Sequence, residues 1–121
     1  MRIRNWTALP AMAGLVFATG MLHNHLVKSD PAADAKISAS PAQIKLWFAE
    51  KPEIPFTSIT LMKSDSTRIA TLRAVATDDT MAVAIPLGTT TLAPGDYLVG
   101  WRSASSDGHA VRGTFRFSIS P

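Results

Sequence analysis

The chain has 121 residues, 46% of them hydrophobic and 17% charged, an ordinary globular composition that excludes an intrinsically disordered polypeptide. Its formal net charge of +3 overstates its basicity: Arg2 and Arg4 sit in an amino-terminal leader, and ten basic against nine acidic side chains remain, no electrostatic footprint for nucleic acid. Cysteine is absent, which excludes disulfide frameworks, thiolate zinc sites, thiol catalysis and lipidation on cysteine.

Residues 1–22 read as a cleavable export signal. Arg2 and Arg4 form a positive start, residues 8–17 are a short apolar run interrupted by Pro10, and Ala18-Thr19-Gly20 offers small residues for a cut. The apolar run is well short of the roughly twenty residues of a spanning helix. Cleavage falls after Gly20 or after Leu22, and the second choice would make His23 the first residue. Residues 23–121 are then one domain, placed in the periplasm of a bacterium.

Past the leader the signals are those of strands. Residues 44–48 and 58–62 alternate apolar and polar side chains, 69–75 and 81–85 are further short runs, and 97–101 and 113–119 alternate strongly. Turn residues fall between them at Ser40-Pro41, Lys51-Pro52, Ser64-Asp65-Ser66, Asp78-Asp79, Pro94-Gly95-Asp96 and Ser106-Asp107-Gly108. No window after the leader keeps a helical period. Six or seven strands about ten residues apart predict an all-β antiparallel sandwich or Greek-key barrel. The period of two turns Ile44, Leu46, Phe48, Ile59, Leu61, Leu98, Phe115, Phe117 and Ile119 inward. Trp101 is the expected anchor of the sandwich centre, and the Tyr97 hydroxyl should find a backbone partner. Met62 and Met81, each alone in a strand-like run, read as core residues.

Three histidines carry the chemistry. His23 and His25 lie near the new amino terminus, and His109 follows Asp107 by two residues with Gly108 between them. That spacing presents a carboxylate and an imidazole on one side, and glycine allows a tight turn. If the amino-terminal strand lies beside this loop, nitrogen and oxygen donors converge without sulfur, a set suited to tetragonal Cu(II). No nucleophile elbow, phosphate loop or His-Glu-x-x-His motif is present, so nothing points to hydrolysis.

His23-Asn-His-Leu-Val-Lys-Ser-Asp-Pro31, Leu46-Trp-Phe-Ala-Glu50, Leu92-Ala-Pro-Gly-Asp-Tyr97 and Trp101-Arg-Ser-Ala-Ser-Ser-Asp-Gly-His109, followed by Gly113-Thr-Phe-Arg-Phe117, together resemble the CopC family of periplasmic copper-binding proteins. The resemblance runs in order through the whole of residues 23–121. It implies a seven-stranded, cupredoxin-like (Ig-like) Greek-key β-barrel that carries copper for resistance, homeostasis or uptake. It also implies a Cu(II) site made by the amino-terminal His23, through amine and imidazole, with Asp107 and His109. Glu50 matches a family acid near that site and is carried over as an outer partner, with His25 as a reserve ligand. An inner-membrane copper transporter of CopD type is the implied partner.

Two features depart from the family pattern. Met1, Met12 and Met21 precede His23, so only Met62 and Met81 could supply the soft thioether ligands of a Cu(I) site. The leader ends Gly20-Met-Leu-His, where Ala-x-Ala is usual before the histidine. Two other classes stay open on sequence: a copper redox enzyme built on an amino-terminal histidine brace, and a plain β-sandwich interaction module.

Overall fold

Alternation at period two turns most of this sequence into sheet. The structure, a computed structural model, describes residues 24–121, and the expected leader together with His23 lies outside them. Among the described residues nine strands form: β1 (Leu26–Asp30), β2 (Ala35–Ile37), β3 (Gln43–Phe48), β4 (Ser58–Lys63), β5 (Arg68–Arg73), β6 (Val75–Ala76), β7 (Ala82–Pro86), β8 (Gly95–Ala104) and β9 (Ala110–Ile119). One sheet has the order β1-β3-β7-β6 and the other β2-β9-β8-β4-β5. The chain passes from one sheet to the other between β1 and β2, β2 and β3, β3 and β4, β5 and β6, and β7 and β8. This is the expected two-sheet sandwich. Seven of the strands are five residues or longer; the short β2 and β6 are additions that the residue pattern did not announce.

Burial follows parity. In β3 the side chains of Ile44, Leu46 and Phe48 are buried while Lys45 and Trp47 are half-buried on the other face. Val83 and Ile85 of β7 lie beside them in the same sheet, and Ile59 and Leu61 of β4 with Phe115, Phe117 and Ile119 of β9 face them from the other sheet. Each such aliphatic or aromatic side chain contributes about 1.5–3 kcal/mol by leaving water. All four residues 82–85 of β7 are buried, because Trp47 stands opposite Ala82 and Lys45 opposite Ala84 on the outer face. Trp47 is itself flanked by the Lys28 and Lys45 ammonium groups, 4.5 and 4.9 Å from its ring centroid.

Parity in β8 runs opposite to the assignment made for Leu98. Tyr97, Val99, Trp101 and Ser103 face inward and are buried, so Leu98 lies on the outer face, half-buried, opposite Arg116. The Tyr97 hydroxyl donates to the Ala93 carbonyl and so fixes that phase, while the Tyr97 ring stacks on Phe117. Met62 and Met81 are half-buried rather than core. Met62 alternates with the inward Ile59 and Leu61 and so sits on the outer face, opposite Leu98. The run 69–75 is also broken. Ala74 is buried and gives its N–H to the Thr57 carbonyl, and there the chain leaves β5 for β6 in the opposite sheet. Every pairing is antiparallel except that of β2 on β9, which is parallel.

Trp101 is the centre of the sandwich, as expected. Its ring packs edge-on against Phe48 at 5.5 Å and lies flat over Gly113, its ladder partner on β9. A β-carbon on Gly113 would come within 2.7 Å of Trp101 Cζ2, so glycine is required there by space. No helix among the described residues is long and apolar enough to cross a membrane.

Trp101→Ala should therefore cost about 3–5 kcal/mol of folding stability through the cavity it leaves. Gly113→Ala should cost about 1–3 kcal/mol by overpacking. Urea unfolding monitored by circular dichroism checks both, and a stable Gly113→Ala would show that the indole is free to move.

Candidate metal centre

The β8–β9 hairpin pairs without interruption from Gly95–Ile119 to Ala104–Ala110 and leaves residues 105–109 as its tip. The tip is a turn rather than an extended stretch. The Gly108 N–H donates to the Ser105 carbonyl at 2.9 Å, and Gly108 takes φ = 84°, a left-handed conformation that favours glycine. Asp107 then organises the loop through its carboxylate. Oδ1 accepts from the Ser105 hydroxyl at 2.9 Å and from the His109 N–H at 3.0 Å, an aspartate turn in which the side chain mimics backbone. Oδ2 faces His109 Nδ1 at 3.3 Å. The two side chains that the spacing put together are thus together, at the outer end of a stiff hairpin. They are open to solvent, with 70% of the His109 side chain and 43% of the Asp107 side chain accessible.

The His109 N–H and then the Ser105 hydroxyl hold the Asp107 carboxyl below the usual carboxylate range; desolvation opposes them, and the His109 ring adds a smaller lowering. Asp107 therefore stays anionic under mildly acid conditions. A proton on Nδ1 directed at that carboxylate leaves Nε2 of the same ring as a lone-pair donor facing outward, the arrangement that orients metal-binding histidines.

The amino-terminal segment is tied to the same end of the sandwich through residues 49–53. The Ala49 N–H donates to the His25 carbonyl at 3.0 Å, and the Glu50 N–H donates to Asn24 Oδ1 at 2.8 Å. Three residues on, the Glu53 N–H donates to the carbonyl of Ala104, the residue that opens the loop of Asp107 and His109. Asn24 is buried, and its amide nitrogen has no hydrogen-bond partner among the described residues. Glu50 and His25 themselves are exposed. The His25 ring lines a hollow with Lys28, Trp101 and Phe115 rather than joining the loop. No set of three or more His, Asp or Glu side chains among the described residues is gathered closely enough to hold a metal ion. Asp107 and His109 are a pair, and His25 and Glu50 are not brought to them; His23 lies outside the described residues.

Two contributors were not singled out from the sequence. Ser105 is buried and fixes Asp107, a role signalled only by its place two residues before the aspartate. Asn24 fixes residue 50 from a position that read as a spacer between two histidines.

The protein is a small two-sheet β-sandwich that carries a solvent-facing imidazole–carboxylate pair on a hairpin tip. The model of the CopC domain matches residues 26–120, and the chain belongs to the CopC family. Its relatives include Protein YobA of Escherichia coli K12, 35% identical over 106 residues that cover 87% of this chain and 85% of that one. Copper resistance protein C of Xanthomonas campestris pv. juglandis is 32% identical over 120 residues, covering 93% and 92%. Among solved structures, CopC from Methylosinus trichosporium OB3b superposes with a TM-score of 0.74 at 32% identity, covering 82% of this chain and 95% of that chain. PcoC, a methionine-rich copper resistance protein from Escherichia coli, gives a TM-score of 0.68 at 33% identity, covering 81% and 99%. This chain differs from that description in having Met62 and Met81 alone among its described residues, one on β4 and one just before β7, in different sheets.

Ser105→Ala should raise the Asp107 pKa toward the ordinary carboxylate value, because one of the bonds that stabilises the anion is gone. The native bonds favour the folded state above that ordinary value, and their contribution is lost as pH falls through the lower folded one. Titration of the carboxyl carbon by nuclear magnetic resonance reads the shift directly. An unmoved midpoint would show that the hydroxyl does not hold this carboxylate.

Proposed function

We propose that the protein is an exported Cu(II) carrier of the periplasm, with His23, Asp107 and His109 as the metal-binding set. The observation that supports it most is the Asp107–His109 pair, an anionic carboxylate and an oriented imidazole held ready by Ser105 and Gly108. Support for His23 comes from its covalent neighbour. Asn24 is buried and bonded to residue 50, and residue 53 is bonded to residue 104, so the chain is anchored at Asn24, the residue that comes directly after His23 in the sequence.

The donor set is nitrogen and oxygen, which suits Cu(II), and Cu(II) heads the divalent affinity order. No pair of clustered methionines among the described residues offers a soft site for Cu(I). Cleavage after Leu22 would add the α-amine of His23 to the set; cleavage after Gly20 would place His23 third, where amine and amides could contribute instead. His25 is the reserve ligand and Glu50 an outer partner. Relatives named for copper resistance support the carrier role, and a CopD-type membrane transporter is the partner that fits a carrier without a spanning helix among its described residues.

Three outcomes check this reading. His109→Ala should weaken Cu(II) binding by more than the about 10–100-fold that outer-shell changes cost, while Glu50→Ala should stay within that range. Isothermal titration against a competing chelator measures both, and an unchanged dissociation constant for His109→Ala would sink the site. Affinity should fall as the solution is acidified, because protons compete with copper for imidazole while Asp107, held below the usual carboxylate range, stays ionised under mildly acid conditions. Cu(II) at about 100 times its dissociation constant should add about 2.7 kcal/mol of stability by mass action, an increment that disappears toward pH 4.

A further inference from the structure

All five arginines among the described residues stand exposed on the five-stranded sheet. Ladder registers sort them into rows across four strands. Arg73, Ser58, Arg102 and Arg112 are successive partners across β5, β4, β8 and β9. Two residues along, the next outward row is Thr71, Thr60, Gly100 and Thr114. The third is Arg68, Met62, Leu98 and Arg116. Two cationic rows therefore flank a row of small hydroxyl-bearing residues with glycine at its centre. A groove of about 400 Å³ opens there, with Thr60, Gly100, Arg102, Arg112 and Thr114 among its walls.

The charge on this face is not balanced. Arg102 and Arg112 are directly opposite each other, and like charges so placed destabilise a ladder. Glu53 shares a hollow with Arg102, and Asp34 and Asp96 share one with Arg116, yet among the described residues no ion pair joins any of these arginines to a carboxylate. Arginines that served only to solvate the sheet would stand among acids of the opposite sign. The arrangement instead keeps several planar guanidinium groups available for bidentate contact.

We infer that the outer face of the five-stranded sheet docks an acidic, extended segment of a partner protein, laid along the threonine–glycine groove between the two arginine rows. Arg112 and Arg116 are four residues apart on β9, about 13 Å along a strand. A chain running along the groove would project alternate side chains toward one row and the other. A single phosphate is too small to span that width. A bilayer surface fits poorly for a different reason: the middle of the face is recessed, and the exposed large apolar side chains that could enter a membrane lie elsewhere, Val27 and Val75 on the other sheet and Phe56 at the margin beside Arg73. The inference goes beyond copper carriage and does not rest on it. The Arg102–Arg112 row nonetheless lies only two ladder pairs below the tip that carries Asp107 and His109, so a docked partner would sit next to that loop.

The test uses the whole exported protein, isotopically labelled and free of metal, with a poly-L-glutamate peptide as probe and poly-L-glutamine as control. The expected result is saturable amide shifts at Thr60, Gly100 and Thr114 that weaken as salt screens the charges. Arg102→Gln with Arg112→Gln should lower that affinity about tenfold. Lys28→Gln with Lys45→Gln should leave it unchanged, and melting curves confirm that both pairs of variants fold. Shifts centred on Trp47, or no shift at all, would overturn the proposal, as would equal binding by the arginine variant. Vesicles of phosphatidylglycerol in phosphatidylcholine form the second arm. Tighter, arginine-dependent binding to vesicles than to peptide would make the face a membrane surface and end the claim for a protein partner. Because no copper is present in either arm, failure here leaves the metal centre untouched, and failure of the copper titrations leaves this face untouched.

Discussion

The structure depends on the pairing of β8 with β9, ten residues against ten without a break. Long antiparallel ladders are stiff because each residue is fixed by its partner as well as by its neighbours. Here the stiffness is enforced from inside. The Trp101 indole fills the space a side chain at position 113 would need, so indole and glycine form one packing unit that locks the hairpin's register. A one-residue slip of β9 would bring a β-carbon into the ring and turn Phe115, Phe117 and Ile119 out of the core. Everything at the tip inherits its position from that lock.

Much of this fold is legible in the sequence because most strands alternate. Ile44, Leu46 and Phe48, or Phe115, Phe117 and Ile119, can be assigned to a face by counting. Leu98 could not, because in Tyr97-Leu-Val-Gly-Trp101 both parities carry apolar side chains and only the Tyr97 hydroxyl bond to Ala93 breaks the tie. The switch of sheets at Ala74 is hidden for a related reason: residues 69–75 hold no Gly, Pro, Asn or Asp to mark a break, and the interruption is a backbone bond to Thr57 that leaves no mark on composition. The strands β2 and β6 are too short to show a period at all. A lone methionine among β-formers reads as core, yet counting by two from the buried Ile59 and Leu61 puts Met62 on the outer face.

At the candidate centre the legible part is local. Asp107, Gly108 and His109 are close in sequence, and the turn that joins them is written in their own side chains and in glycine's left-handed φ. What brings the amino-terminal segment to that end is non-local and runs through main-chain donors at residues 49, 50 and 53, whose identity hardly matters. The family resemblance offers the acid of Glu50, whereas the group engaged among the described residues is its N–H. Asn24 and Ser105 were passed over because their value lies in where they are buried.

The openness of the His109 ring has a kinetic meaning. A ligand enclosed in a core must wait for the protein to breathe before it can let go, so its exchange rate is set by unfolding of the surroundings. A ring with most of its surface in water can be approached by an incoming donor while it still holds its ion, and one bond can form as another breaks. Tight retention and quick transfer then cease to be opposites. An ion bound at such a ring would be surrendered in a single encounter, with the encounter partner rather than the protein's own fluctuations setting the pace.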